Sequence, residues 1–324
     1  MKEFLTVPDI TCKKSRYAVK DTRVVFLFGP TAVGKTELAC VLAEHIGEII
    51  SVDSMQVYRG MDLGTAKPNE EQRRMVMHHL IDLVPPDSRF SAGDFRRCAL
   101  EAMKEIRERG KVPFFVGGTG LYFRALEYEL LDAPPGDQKL RHLLYRMEEE
   151  SPGILYETLK SMDPETADRI HQNDVVRLVR ALEVYQSAGR RFSDFLRIHK
   201  RRVLTPLKIG LTLGREELYR RIEARCRRMI ISGLAEEVAD LIGKGYTEAY
   251  PSMKGLGYSH YTHYFKGCLS HEETVRQFIR DTKRYAKRQL TWFRRETDAF
   301  WYEPRQIEAI RVRVLRFIEE STAP

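Results

Sequence analysis

Hydrophobic positions change their period twice along the chain. Behind Arg23 an unbroken apolar run (Val24, Val25, Phe26, Phe28) predicts a strand buried on both faces. Residues 29–36 come next, and from Glu37 a helix is expected that stops at Gly47. Ile49–Val52 predicts a second strand, which ends on Asp53. Ser91, with Asp94 three residues on, has the spacing of a capping box and predicts a helix that closes at Gly110. Val112–Val116 predicts another buried strand running into Gly117-Gly118-Thr119-Gly120. Strands alternating with helices imply a parallel sheet covered by helices.

From about Arg124 to Lys200 the spacing turns helical, without a buried strand. Residues 132–136 and 151–153 read as turns, while Asp163-Pro164 supplies a cap and a first-turn proline that start a helix. Leu207–Leu211 predicts a strand that rejoins the sheet, and the C-terminal third is mostly helical, ending over 306–319. The fold class expected is α/β: a parallel sheet flanked by helices, with an inserted all-helical domain. Its divisions are a flexible tail over 1–22, a core over 23–123 and 205–324, and the insertion over 124–204.

Composition adds exclusions. With 43% hydrophobic and 31% charged residues the chain of 324 residues is globular. No apolar run is long enough to span a membrane, and the charged N-terminus carries no secretory signal. Five scattered cysteines (12, 40, 98, 226, 268) fit reduced thiols of a cytoplasmic protein. The pairs His78-His79 and His260/His263 lack ligand-spaced partners and are expected on a polar surface rather than on a metal. The charge of +8 is concentrated: Arg276–Arg295 holds eight basic residues against Asp281. Positions 276, 280, 283, 284, 287 and 288 fall on one helical face, with the neighbouring aromatics mostly in the core. Six like charges on one face point to a polyanion such as nucleic-acid backbone, so Arg280, Lys283, Arg284, Lys287 and Arg288 are candidate contacts.

The chemistry starts at Gly29-Pro30-Thr31-Ala32-Val33-Gly34-Lys35-Thr36, which matches G-x-x-x-x-G-K-[ST] between a strand and a helix. Loop amides and the helix N-terminus cradle phosphates, Lys35 adds a positive charge, and the Thr36 hydroxyl suits Mg²⁺. The sheet is thus of the P-loop type, and the loop alone suggests nucleotide or ATP binding. Asp53, at a strand's carboxyl end, suits a metal ligand, a general base or a cap. The glycines around Thr119 permit close backbone approach beside a hydroxyl, or simply make a tight turn. Among the arginines of 220–228 the spacing does not select one.

The run Asp53-Ser54-Met55-Gln56-Val57-Tyr58 through Gly64-Thr65-Ala66-Lys67-Pro68 resembles the tRNA dimethylallyltransferases. So do the P-loop, Ser91–Phe95, Val116–Tyr122, Asn173–Glu183, Gly257-Tyr258 and Lys287–Arg294, all in family order over roughly residues 23–303. The resemblance implies transfer of a dimethylallyl group from dimethylallyl diphosphate to N6 of the adenine 3′ to the anticodon (position 37). It implies Asp53 as the base, and Lys35, Thr36 with Mg²⁺, and Arg225 on the leaving diphosphate, with Thr119 near the reacting groups. It implies contacts with a tRNA anticodon stem-loop from Asp53, Ser54, Met55, Gln56, Thr119, Arg141, Val176, Arg177, Leu178, Val179 and Arg180. Lys254, Gly255, Leu256, Gly257, Tyr258 and Ser259 complete that set, though an arginine sometimes found near the end of this stretch is missing. The target base must leave its stack to react. A cytoplasmic monomer of the bacterial form is expected. An enzyme prenylating free adenylate, a P-loop small-molecule kinase, and a nucleic-acid-binding ATPase are the alternatives.

Overall fold

The apolar run behind Arg23 becomes β1 (Val25–Phe28), buried at every position, in a computed structural model that describes residues 23–129, 133–198 and 201–320. The tail expected over 1–22 lies outside the described residues. After α1 (Lys35–Ala43) come β2 (Gly47–Val52), α2 (Glu70–Met75), β3 (His78–His79), α3 (Ala92–Glu108) and β4 (Val112–Gly117). Next are α4 (Gly120–Glu127), α5 (Gln138–Glu150), α6 (Ile154–Met162), α7 (Pro164–Ala167), α8 (Val175–Ala188) and α9 (Phe192–Ile198). The chain continues through β5 (Leu207–Leu211), α10 (Arg215–Ile231), α11 (Leu234–Gly243), α12 (Tyr258–Phe265), α13 (His271–Phe293), β6 (Phe300–Tyr302) and α14 (Ile307–Glu320).

The sheet has the order β3-β2-β4-β1-β5-β6, and every pair is parallel. Alternation along β1 sends Val25 and Leu27 into one core and Phe26 and Phe28 into another. The first core takes α1 and α10–α14, the second α3 and α4. Ser91 and Asp94 form the predicted capping box on α3. The first predicted helix ends at Ala43, short of Gly47, because Glu44 leaves helical geometry and Gly47 already pairs with Val112. Among the described residues no helix is long and apolar enough to cross a membrane, and the four described cysteines are free thiols.

Two sheet edges went unread in the sequence because they are only two and three residues long. One of them corrects the histidine reading. His79 is half-buried in β3 with Nε2 2.7 Å from Glu48, which also accepts from Arg109. His260 is buried too, its Nδ1 accepting from the Gly257 amide that caps α12.

The helical excursion begins later than residue 124. α4 still packs Tyr122, Phe123 and Leu126 into the second core, and helical periodicity does not reveal which core a helix joins. The chain leaves after a bridge between Tyr128 and Arg202, where it also returns. Between them α5–α9 enclose a separate core that includes Leu144, Leu155, Leu159, Leu178 and Leu182. At this root Lys208 of β5, only 3% exposed, meets Glu127 (2.8 Å), Glu296 (2.5 Å) and Asp298 (3.0 Å).

Candidate active site

Sheet register puts Phe28, Gly117 and Val52 in one row, so Gly29, Gly118 and Asp53 emerge together at the carboxyl edge. The P-loop turns into α1 through Gly34, which is left-handed at φ 102. Ala32 is left-handed at φ 63 without a glycine's freedom. Val33 is buried as the loop's anchor. Lys35 Nζ donates to the loop's own carbonyls at Gly29 (3.0 Å) and Pro30 (2.7 Å).

The two oxygens of Asp53 differ in their contacts. Oδ1 accepts from the Met55 amide at 2.8 Å and closes the turn after β2. Oδ2 has no hydrogen bond among the described residues and is available to a ligand. Thr119 stands at the N-cap of α4, yet its hydroxyl accepts from the Ser54 amide (3.1 Å) instead of capping. Ser51 donates to Gln56, whose amide nitrogen reaches the carbonyls of Thr65 and Ala66. Lys67 is buried against the Tyr58 carbonyl, Asp62 and Asp82. Glu237 of α11 accepts from the amides of Asp62 and Leu63 and from the Tyr258 hydroxyl at 2.6 Å. The distinctive sequence run from 53 to 68 is therefore a loop cross-braced through most of its polar side chains, and it forms one wall of the site.

The glycines around Thr119 make room for α13. A Cβ on Gly118 would overlap the Gln289 amide, and one on Gly120 would overlap the Trp292 ring. The close approach expected there is to the protein's own helix.

These loops surround a cleft of about 1130 Å³, lined among others by Thr31, Lys35, Thr36, Asp53, Arg225 and Arg288. Burial, then the neighbouring Arg225 charge, pushes Lys35 down to about 7, against the opposing pull of Asp53 and Glu37. Burial likewise holds Arg225 below its ordinary range. Two desolvated cations set against each other favour a polyanion between them. Burial and the Asp53 charge hold the Tyr285 phenol above its usual range. Arg221 and Arg228 also line the cleft, so the structure draws three arginines of α10 to it and leaves Arg220 and Arg227 outside.

A family model described as IPP transferase matches residues 56–296. The chain belongs to that family. Among its relatives, tRNA dimethylallyltransferase 2 of Geotalea daltonii is 47% identical over 92% of this chain and 93% of its own length. tRNA dimethylallyltransferase of Thermotoga maritima is 44% identical over 86% and 92%. Of solved structures, the tRNA isopentenylpyrophosphate transferase of Bacillus halodurans superposes with a TM-score of 0.70 at 37% identity, covering 93% of this chain and 98% of that one. A eukaryotic dimethylallyltransferase acting on tRNA gives 0.79 at 26%, covering 93% and 80%.

The IPP-transferase positions expected to touch tRNA divide sharply by exposure. Met55, Gln56, Lys254, Gly255 and Leu256 line the cleft. Val176 and Arg177 project from the first turn of α8, both exposed. Leu178 and Val179 send their side chains into the core of the helical excursion, because that face of α8 packs on α5 and α6. Arg141 and Arg180 both hold the fully buried Glu183, joining α5 with α8, and each keeps about a third of its side chain exposed. Tyr258 is buried at the cleft wall and tied to Glu237, while Gly257 caps α12 and is buried as well. Ser259 donates to the Gly255 carbonyl.

The basic face of α13 is less bare than its sequence implied. Asp281 takes both Arg280 and Arg284, Glu223 takes Lys283, and Glu273 takes Arg276. Lys287 and Arg288 have no carboxylate partner among the described residues, and Arg288 turns into the cleft. The main residue that the sequence missed is Gln289, a polar side chain on the helix's buried face; that exception to the apolar stripe was the available signal.

Proposed function

We infer that the chain is a tRNA dimethylallyltransferase. The single observation that carries the chemistry is the free Oδ2 of Asp53 sharing one cleft with the desolvated cations Lys35 and Arg225. An acceptor amine beside the carboxylate faces a diphosphate in the P-loop, with the allylic carbon between them. The bond from that carbon to the diphosphate oxygen breaks, and oxygen keeps the electron pair. The new carbon–nitrogen bond forms from the N6 lone pair, and the amine's proton passes to Asp53 Oδ2. Loop amides, Lys35 and Arg225 stabilise the charge that appears on the departing diphosphate.

We read the donor as dimethylallyl diphosphate and the acceptor as the adenine at position 37 of a tRNA anticodon stem-loop, extruded into the cleft. We read Lys254 and Arg288 of the cleft lining, with the exposed Val176, Arg177 and Lys287, as the side chains that meet the tRNA. The Thr36 hydroxyl fits Mg²⁺ that arrives on the diphosphate, because that ion keeps most of its shell from water and phosphate. When bound it would supply further neutralisation of the leaving group. Every group used here comes from one chain, so the working unit is read as a monomer, at work in the cytoplasm where its tRNA is.

The test is transfer of label from dimethylallyl diphosphate to unmodified tRNA. Asp53→Asn preserves the turn-closing Oδ1 and removes only the carboxylate's charge and basicity. It is expected to lower turnover by about 100-fold or more while tRNA binding is retained. Label on AMP but not on tRNA would assign a free-nucleotide prenyltransferase, and phosphate release from ATP without prenyl transfer would assign a kinase or ATPase.

A further inference from the structure

α13 arrives at the catalytic edge of the sheet with a carboxamide on its buried face. Gln289 is 7% exposed and held at both ends. Its Oε1 accepts from the Thr31 amide at 2.8 Å, and its Nε2 donates to the Gly118 carbonyl at 2.9 Å. Neither partner can exchange donor for acceptor, so the amide has one orientation. Gly118 has room for it only because it lacks a Cβ.

The two attachments matter through their neighbours in the chain. Thr31 precedes Ala32, whose left-handed backbone persists only where its surroundings hold it. Gly118 precedes Thr119, whose hydroxyl accepts from the amide of Ser54, the residue after Asp53. Contacts therefore run unbroken from the phosphate loop through Gln289 to the loop that carries the carboxylate. Strand register fixes where the two loops leave the sheet, but nothing in the sheet fixes the gap between their tips.

We propose that Gln289 is a positioning residue that sets the spacing between the phosphate cradle and the Asp53 carboxylate. The proposal rests on the prenyl-transfer reading of the cleft. Displacement at the allylic carbon needs the attacking nitrogen and departing oxygen on opposite sides at a fixed separation, and errors near 1 Å lower the rate by about 100-fold. Gln289 bonds the backbone of both loops and also meets the Tyr285 phenol at the cleft wall, and it acts on the reaction through the two loops.

The test compares Gln289→Met, which keeps length and apolar volume, with Gln289→Glu, which keeps the acceptor for Thr31 but sets an oxygen against the Gly118 carbonyl. Single-turnover transfer to tRNA is measured per folded enzyme, beside the KM for tRNA and the thermal midpoint. Both variants are expected to lose about 30- to 100-fold in single-turnover rate, with KM for tRNA within about threefold and the midpoint within a few degrees. Gly118→Ala is expected to lose a similar factor by displacing the amide. Combined with Gln289→Met it should be no slower than the slower single variant, because both changes break the same link. A Gln289→Met rate within threefold of wild type, a loss that vanishes once folded enzyme is counted, or independent multiplication in the double variant overturns the proposal. Wild-type protein that prenylates no tRNA in the same assay overturns the functional reading itself, and that arm keeps the two failures apart.

Discussion

Lys35 is where a local property becomes a measurable one. Its amino group sits at about 7, lowered first by burial and then by Arg225. At pH 8 such a group is roughly nine-tenths neutral, so a diphosphate that restores its charge takes up close to one proton. Calorimetry of inorganic pyrophosphate binding in buffers of different ionisation heat should show that uptake, and Lys35→Arg should lack it. Identical uptake by the two proteins would remove Lys35 as the titrating group. Stability depends on the same group. The unfolded lysine titrates near 10.5, so the unfolded chain holds the extra proton between about 7 and 10.5. Lys35 therefore detracts most from stability below pH 7, and the penalty fades as pH rises through that window. The loops that carry Lys35, Thr36 and Asp53 were legible in sequence because they are short contiguous turns at strand ends. Gln289 was not, since its partners lie 258 and 171 positions away and helical period alone marks its face as apolar. Arg225 stands between these cases: the helix announces several arginines, and only packing decides which of them face the cleft.

At the level of elements, the long strands and capped helices were readable from period and capping residues, as Ser91 with Asp94 on α3 and Asp163 with Pro164 on α7 illustrate. The edge strands β3 and β6 were not, being too short to carry a period. Nor was the start of the helical excursion, because α4 shares its neighbours' spacing while packing on a different core. The lysine within β5 contradicts a purely apolar strand, and its partners explain it. Lys208→Met would leave Glu127, Glu296 and Asp298 facing one another with only Arg202 to balance them. Removing one member of so buried a group costs about 3–5 kcal/mol, readable by chemical denaturation. A loss below about 1 kcal/mol would mean that the carboxylates are relieved by water or protonation.

Across the whole molecule, the basic excess of the sequence resolves into two populations. Arg280 and Arg284 share Asp281, whereas Lys287 and Arg288 have no carboxylate partner among the described residues, Lys287 on the exposed face and Arg288 in the cleft over the Tyr285 ring. Neutralising Lys287 with Arg288 should flatten the dependence of log tRNA affinity on log salt by about 1.5, near the value for two released counterions. The same treatment of Arg280 with Arg284 should change it by about half as much, since Asp281 offsets one of their two charges. Equal changes for both pairs would show that Asp281 gives up its partners on binding. The chain's order of synthesis gives the meeting of α13 with the β4–α4 loop one more consequence. The phosphate loop is made before β4 and β4 before the helical excursion, yet the Gln289 amide that joins them is made only after that excursion and four further helices have begun. A nascent protein can thus assemble most of its sheet while its reaction centre is still unjoined. Termination between α12 and α13 would yield a chain with the 29–36, 53–68 and 116–122 motifs but without the Gln289 amide between them.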